Sequence, residues 1–279
     1  MKEKISVIMV VYNEEKLIRR CLDSVKDIAD EILVLHDGPC SDNTLKLARE
    51  YTSKVFKTKK NVGVPGPILP ILFRKVKYPW ILKIDADEFL SQELKENITR
   101  LVKNPKADAY SFIWPYWDGK KHITKNWPRK TSLYRKSKIS YFGFPHWDEP
   151  KINGNVVKTE FVLEHRQLQG AIPTLKMFKE KILGRYARLH AEYTLKKFET
   201  FDSFQYKEKN FPAYIRIRRD YPLFSMIPLT IAATLKILFS PGAWKEGSPI
   251  FSEMMQSLIY YPYVNYLIYK LKKKQKSKI

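Results

Sequence analysis

The stretch ISVIMVVYNEEKLIRRCLDSV, residues 5–25, decides the fold. Its first seven residues form an apolar run rich in β-branched side chains, which is typical of a strand buried on both faces. The residues after it carry apolar side chains three or four positions apart, and this spacing predicts a helix with one buried side. The residues predicted on that side are Leu17, Ile18, Cys21, Leu22 and Val25. A buried strand followed by such a helix indicates an α/β fold.

The same alternation of strand and helix continues to residue 90. Residues 31–37 (EILVLHD), 54–58 (KVFKT) and 80–87 (WILKIDAD) are predicted strands, with helices between them. This order predicts a mixed, mostly parallel sheet covered by helices on both faces. The less regular, aromatic-rich segment that follows ends in a predicted strand at 158–166. We therefore expect one domain over residues 1–168.

Polar residues follow each of the four predicted strands. They are Tyr12, Asn13 and Glu14 after the first, Asp37 at the end of the second, Asn61 after the third, and Asp85 and Asp87 at the end of the fourth. In parallel sheets covered by helices, ligands bind beyond the carboxyl ends of the strands. We therefore expect these side chains to share one rim of the sheet.

Three acids, Asp85, Asp87 and Glu88, stand within four positions of a chain whose formal net charge is +22. Two carboxylates about 4 Å apart repel by about 4 kcal/mol at an effective dielectric constant of 20, unless a cation lies between them. Magnesium takes one or two protein carboxylates and completes its shell with water and substrate phosphates. The pattern favours a metal site for a nucleotide diphosphate. The alternative is that Asp87 or Glu88 caps a helix that begins near Ser91.

Three blocks of the sequence together resemble family 2 glycosyltransferases, particularly the branch that builds lipopolysaccharide cores and other cell-surface glycans. They are SVIMVVYNEEKLIRRCLDSV, EILVLHDGPCSDNT and WILKIDADEFLSQEL, within residues 5–96, and weaker similarity continues to about residue 166. The resemblance implies a GT-A fold, which is a Rossmann-like nucleotide-diphospho-sugar transferase sheet. It also implies transfer of a sugar, with inversion, from a nucleotide-diphosphate donor to a glycan or lipid-linked acceptor.

The resemblance further implies how the donor is held. Tyr12, Asn13 and Glu14 would line the nucleoside pocket, with Asn61 grouped beside them, and Asp37 would bind the base, usually uracil. Gly38 stands where the family commonly has a second acid, which bears on how the base is gripped.

For the metal, the resemblance assigns Mg²⁺ or Mn²⁺ to Asp87, with Asp85 approaching the ribose or the metal. His165 resembles a histidine that in related enzymes reaches the metal or the diphosphate. A structural role for His165 at the end of a strand is the alternative.

Inverting transfer needs a base that accepts the proton of the acceptor hydroxyl. The loop FGFPHWDEP, residues 142–150, offers three candidates where related enzymes place that base. We expect Asp148 or Glu149 to be the base, and His146 is the further candidate. The alternative is that this loop is a turn with solvated acids. The basic pair Arg129 and Lys130 could meet the diphosphate, but a solvated surface is the favoured interpretation.

The positive charge is concentrated toward the carboxyl end, since the excess is +3 for residues 1–90, +7 for 91–168 and +12 for 169–279. Residues 169–279 read as helical and contain two uncharged spans, 221–235 and 254–269, which are shorter than the roughly 20 residues of a bilayer crossing. We expect a basic region in the interface of an anionic membrane. Nucleic-acid binding would explain the charge but not the uncharged spans. An ordinary helical subdomain is the alternative.

Two cysteines without a metal-binding spacing fit a reducing compartment, so we expect a cytoplasmic protein, peripheral on the inner face of the cell membrane. Two other functions stay open. A sugar nucleotidyltransferase would be expected to carry a glycine-rich phosphate loop after the first strand, where this chain has YNEE. A non-catalytic glycan-binding protein on a transferase scaffold would not need the acids that are retained here.

Overall fold

The computed structural model describes residues 3–104, 106–145, 149–168 and 174–277. The chain divides into two compact units, the first made of residues 1–168 with 202–206, the second of residues 169–201 with 207–279.

The first unit begins with alternating strands and helices. They are β1 (Ile5–Val11), α1 (Ile18–Val25), β2 (Glu31–His36), α2 (Thr44–Arg49), β3 (Val55–Lys57), α3 (Leu69–Lys75) and β4 (Trp80–Lys83). Strands β1 to β4 are parallel and lie in the order β3-β2-β1-β4. Their carboxyl ends therefore share one rim of the sheet.

The rest of the first unit extends the sheet. The elements are β5 (Glu88–Leu90), α4 (Gln92–Val102), β6 (Ala109–Ile113), β7 (Arg129–Arg135), β8 (Ile139–Phe142), β9 (Lys151–Ile152), β10 (Val156–His165) and β11 (Ser203–Phe204). Beyond β4 the order is β7-β6-β10-β5, with β7 and β5 antiparallel to the other strands. The strands β11, β8 and β9 form a small antiparallel sheet. The expected mixed, mostly parallel sheet is confirmed.

Side chains alternate across β1, so each face of the sheet receives its own apolar core. Val7 and Met9 pack on one face with the buried side of α1, whereas Ile8 packs on the other with Phe73 of α3. The five residues predicted on the buried side of α1 are all buried. Helices on both faces hold the sheet rigid behind the rim.

The second unit is helical. Its elements are α5 (Leu175–Met177), a π-helical stretch (Phe178–Tyr186), α6 (Ala187–Thr194), α7 (Ala213–Asp220), α8 (Met226–Leu238) and α9 (Ser248–Lys276). A small apolar cluster joins α6 to α9 through Ala187, Ala191, Val264 and Ile268. Among the described residues, no helix is both long enough and apolar enough to cross a membrane.

Candidate active site at the sheet rim

The loops after β1 and β2 are joined by a reciprocal pair of hydrogen bonds. The Asn13 side chain donates through Nδ2 to Ser41 Oγ (2.8 Å) and accepts through Oδ1 from the Ser41 N–H (3.0 Å). Asn13 has a φ of 53°, in the left-handed region that asparagine tolerates better than most residues. The predicted nucleoside residue Asn13 is therefore fixed at the rim by its own side chain.

The two predicted residues beside it lie in the same pair of loops. The backbone N–H of Glu14 donates to Thr44 Oγ1 (2.6 Å) at the start of α2, and the ring of Tyr12 is exposed. Asp42 accepts from the Glu15 N–H (3.1 Å). These bonds hold the loop after β1 against the helix that follows β2.

His36, which was not singled out from the sequence, connects the loop after β1 to the loop after β2 through its buried imidazole. It is fully buried at the end of β2; its Nδ1 lies 2.8 Å from the Gly38 carbonyl and its Nε2 accepts from the Asn13 N–H (3.2 Å). Both bonds are satisfied only when the proton is on Nδ1. Within the apolar run EILVLH the sequence offers no sign of this role.

Asp37 joins the loop after β2 to the loop after β3. Its Oδ1 accepts from the Val62 N–H (2.8 Å) and its Oδ2 from the Gly63 N–H (2.7 Å), while Asn61 Nδ2 donates to the Asp37 carbonyl (2.9 Å). The carboxylate is buried, so its clear role is to hold the loop that carries Asn61. Contact of Asp37 with a nucleotide base stays a prediction.

Gly38 cannot carry a side chain in this structure. Its φ is +88°, and a Cβ atom at this position would lie 2.6 Å from the Asn61 nitrogen and 2.8 Å from its Cα. Both contacts are with backbone, which cannot move aside without shifting the loop. The close approach of the loops after β2 and β3 explains why no second acid follows Asp37.

The acids after β4 are neutralised by buried lysines. Lys130 Nζ, from β7, donates to Asp85 Oδ2 (2.6 Å) and to Glu88 Oε1 (2.5 Å), and Lys83 Nζ reaches Asp85 Oδ1 (3.1 Å). Glu88, Lys83 and Lys130 are buried. We call these four residues the acid–lysine cluster. The positive charge between Asp85 and Glu88 is therefore an ammonium group, and the predicted divalent ion between Asp85 and Asp87 stays a prediction.

Opposite effects of burial and pairing set the protonation of this cluster. Burial alone would raise the pKa of Asp85, but Lys130 and Lys83 outweigh it and hold that pKa below its ordinary value. Burial would lower the pKa of Lys130, but Asp85 and Glu88 raise it well above the usual range. Asp85 and Lys130 therefore stay charged across the physiological range.

Two sequence-based interpretations are wrong here. Lys130 is not solvated surface, because its ammonium group lies inside the acid–lysine cluster, and Arg129 donates instead to the backbone carbonyls of Ser111 and Thr159. Neither Asp87 nor Glu88 caps α4, because Ser91 Oγ is the group that accepts from the Leu94 N–H (3.2 Å).

Asp87 lies beside His165. Its Oδ2 lies 3.4 Å from His165 Nε2, which is also 2.9 Å from Gln167 Nε2. The imidazole is buried and stacked on the Trp114 indole, with ring centroids 3.8 Å apart. The Trp114 N–H in turn donates to Glu88 Oε1 (2.5 Å). The acid–lysine cluster thus orients the histidine that meets Asp87.

The Asp87–His165 pair fits a divalent cation with few protein ligands. A carboxylate oxygen and an imidazole nitrogen are both ligand types for transition-metal ions, and a shell completed by phosphate and water needs only one or two protein groups. Within the described residues, no group of three or more His, Cys, Asp or Glu side chains is arranged to hold a metal ion. Asp85, predicted as a further ligand, instead binds two lysines, so the three-residue metal site is not assembled.

Of the predicted bases, Glu149 is described, whereas His146 and Asp148 lie outside the described residues. Glu149 as a whole is exposed, but its carboxyl group is partly shielded, and this burial raises the pKa of the carboxyl above its ordinary value. Lys130 and hydrogen bonds from Thr131 lower the pKa but do not outweigh burial. These neighbours bring Glu149 close to the acid–lysine cluster. A carboxylate whose pKa is raised is a stronger proton acceptor than an ordinary glutamate.

Curated relatives share part of this sequence. An uncharacterized glycosyltransferase of Rickettsia typhi is 36% identical over 108 residues, 39% of this chain and 36% of the relative. An uncharacterized glycosyltransferase of Rickettsia bellii is 33% identical over 147 residues, 50% of this chain and 49% of the relative. The chain therefore spans half or less of the length of these relatives.

Among solved structures, the fold is similar to that of S. aureus TarS 1-349 in complex with UDP-GlcNAc. The TM-score is 0.48 at 14% identity, and the match covers 97% of this chain and 92% of the other. The family model described as glycosyl transferase family 2 matches residues 6–186, well over half of the chain. That span includes the joined rim loops, the acid–lysine cluster and His165. The chain therefore belongs to glycosyl transferase family 2.

Proposed function

We propose that the protein transfers a sugar from a nucleotide-diphosphate donor, with UDP as the expected carrier, to a hydroxyl group of a glycan or lipid-linked acceptor. The observation that carries the proposal is the Asp87–His165 pair, which lies at the same rim as the loops after β1, β2 and β3. Membership of glycosyl transferase family 2 supports the reaction class.

The donor would be held by the joined loops. Tyr12 offers an exposed ring for the base, while Asn13, Glu14 and Asn61 supply polar groups on loops that their own hydrogen bonds fix in place. Asp85 keeps 32% of its side chain exposed although two lysines bind it. It can therefore accept a hydrogen bond from a ribose hydroxyl without adding uncompensated charge.

Asp87 and His165 would hold Mg²⁺ or Mn²⁺ beside the diphosphate. When bound, such an ion stabilises the charge that develops on the leaving group as a Lewis acid. The chain itself supplies the orientation, because Trp114 stacks on His165 and is fixed by Glu88.

Glu149 is the described residue best suited to be the base, with Asp148 and His146 of the same loop as the other candidates. The base would take the proton of the acceptor hydroxyl while that oxygen bonds to the anomeric carbon. As this bond forms, the bond between the anomeric carbon and the diphosphate oxygen breaks, and the nucleoside diphosphate departs with inversion. The raised pKa of Glu149 strengthens it as a proton acceptor.

The reaction would take place at the cytoplasmic face of the cell membrane, with the second unit in contact with that surface. The excess of lysine and arginine in residues 169–279 supports this location.

Slow donor hydrolysis tests the proposal. Purified protein is incubated with UDP-, GDP- and dTDP-sugars and either Mn²⁺ or Mg²⁺, and nucleoside diphosphate release is measured. Asp87→Ala should lower the rate about a hundredfold or more, because it removes a group that acts on the leaving-group charge. Asp27→Ala, which changes an exposed acid paired with Lys95, is the matched control and should keep the wild-type rate.

A chain that binds none of these nucleotides would contradict the proposal and favour the non-catalytic glycan-binding alternative. Equal rates in Asp87→Ala and the control would remove the assigned role of Asp87.

A further inference from the structure

The helices α8 and α9 form an antiparallel hairpin that has polar side chains where the two helices meet. Thr234 Oγ1 lies 2.8 Å from Ser257 Oγ, and Asn265 Nδ2 lies 3.5 Å from Ser225 Oγ, so the two helices run in opposite directions along this contact. These four residues, which we call the seam, are buried. The buried residues of α8 are Thr230 and Thr234, and both are polar.

The exposed side of the hairpin is apolar. The side chains that we call the outer face are Ile227, Ile231 and Leu235 of α8 and Phe251, Met255 and Ile259 of α9, spaced four residues apart and 44% to 66% exposed. Phe224 and Trp244, near the two ends of α8, are 83% and 70% exposed. A helix pair in water normally places apolar groups inside and polar groups outside. At the contact between α8 and α9 this distribution is reversed, whereas the side of α9 that meets α6 buries the apolar Val264 and Ile268.

Small polar residues at a helix–helix contact, with large apolar residues outside, characterise helices surrounded by lipid. Yet no helix among the described residues can cross a bilayer. A hairpin that lies in the membrane interface, with its outer face among the acyl chains, satisfies both observations.

The charge of the same segment indicates the kind of lipid. Residues 221–277 contain lysines at positions 236, 245, 270, 272, 273, 274 and 276 but acids only at 246 and 253. Lys270 and Lys273 are exposed and continue the side of α9 that carries Met255 and Ile259. A second copy of the chain is a poorer occupant, because a two-fold contact would set this basic surface against itself.

We propose that the outer face of the α8–α9 hairpin docks onto an anionic lipid bilayer, with Phe224 and Trp244 as interfacial anchors and the lysines at the headgroups. The inference rests on the proposed function and extends it, because docking would bring the enzyme to the membrane that contains a lipid-linked acceptor. It rests on residues that take no part in donor binding.

Vesicle cosedimentation of the full chain tests the docking. The protein is mixed with vesicles of phosphatidylcholine alone, or of phosphatidylcholine with phosphatidylglycerol, at low and high salt. The wild type should bind the anionic vesicles, and binding should weaken as salt rises. The double variant Ile231→Glu with Ile259→Glu should bind at least about tenfold more weakly than the wild type, because it places two charges in the apolar contact. Val156→Glu, a single apolar-to-acid change at an exposed position of β10, is the control and should bind like the wild type.

A second measurement does not depend on the double variant. Tryptophan fluorescence should shift to shorter wavelength when anionic vesicles are added, and Trp244→Phe should lose most of that shift. Absence of wild-type binding, full binding by the double variant, or a shift that survives in Trp244→Phe overturns the proposal. So does a change from dimer to monomer in the double variant without vesicles, since the outer face would then be a subunit contact.

Donor hydrolysis measured on the same proteins separates the two proposals. The double variant should keep the wild-type rate with a soluble donor, because its substitutions lie outside the rim. A wild-type protein that hydrolyses the donor but does not bind anionic vesicles rejects the docking surface alone, whereas a wild-type protein that binds the vesicles without any hydrolysis rejects the proposed function alone.

Discussion

In the acid–lysine cluster at the rim of the first unit, charged groups are buried or half-buried and each has a partner of opposite charge. At the contact between α8 and α9 in the second unit, uncharged polar groups lie inside, and the outer face of the hairpin is apolar. Lys130 between Asp85 and Glu88 exemplifies the first arrangement, and Thr234 against Ser257 exemplifies the second. The two arrangements agree with the two proposals, in which the rim binds an anionic donor in water and the outer face of the hairpin contacts lipid.

The largest expected effect follows from breaking the charge pairing at the rim. Lys130→Met leaves the fully buried Glu88 without its ammonium partner and takes one of two partners from Asp85. Removal of one partner of a buried ion pair typically costs about 3–5 kcal/mol. Urea unfolding should show a loss of that size in the free energy of unfolding.

Lys103→Met at the exposed end of α4 is the matched control, with an expected change within about 0.5 kcal/mol. If the two substitutions cost the same, the acid–lysine cluster does not stabilise the fold, and the contrast between rim and hairpin fails.

A smaller effect is expected at Glu149, and it appears in the pH profile. The folded pKa of this carboxyl lies above its ordinary value of 4.5 because of burial. The base must be ionised, so kcat/KM should fall as the pH drops through this raised pKa, at higher pH than for an ordinary glutamate. Glu149→Gln should lower kcat about a hundredfold and remove this acidic limb.

The pH profile separates catalysis from packing, since a purely structural role of Glu149 would lower the rate without removing the limb. An unchanged limb in Glu149→Gln would assign the base to Asp148 or His146.

The smallest effect is expected in the hairpin seam. Thr234→Val removes the hydroxyl that meets Ser257 but keeps the shape of the side chain, and Ser257 still donates to the Met254 carbonyl. Loss of one such neutral hydrogen bond costs about 1 kcal/mol. Thermal unfolding with and without anionic vesicles would measure this value, and a loss as large as that of Lys130→Met would show that the seam resembles the rim.

The strands β1, β2 and β4 could be predicted because each is a short, largely apolar run that is followed by polar residues. Their common rim followed from the parallel order, and the hydrogen bonds of Asn13 and Asp37 across neighbouring loops agree with it. The order beyond β4 could not be predicted, since alternation within a strand does not specify which strand lies beside it.

The partners of the acids could not be predicted either. Lys130 is 45 residues from Asp85, and a lysine in so basic a chain gives no sign that it is buried. His36 was missed for a similar reason, because an imidazole at the end of an apolar strand looks like any other strand residue. Such roles depend on contacts between distant segments, which local patterns do not contain.

The close approach at Gly38 limits how this protein could be re-engineered. Substitutions at Gly38 alone would not yield folded variants with altered donor binding, because every other amino acid would place a Cβ atom against the backbone of Asn61. Useful variation has to come from residues 58–63 as a unit, so that a new loop conformation arrives together with any new side chain.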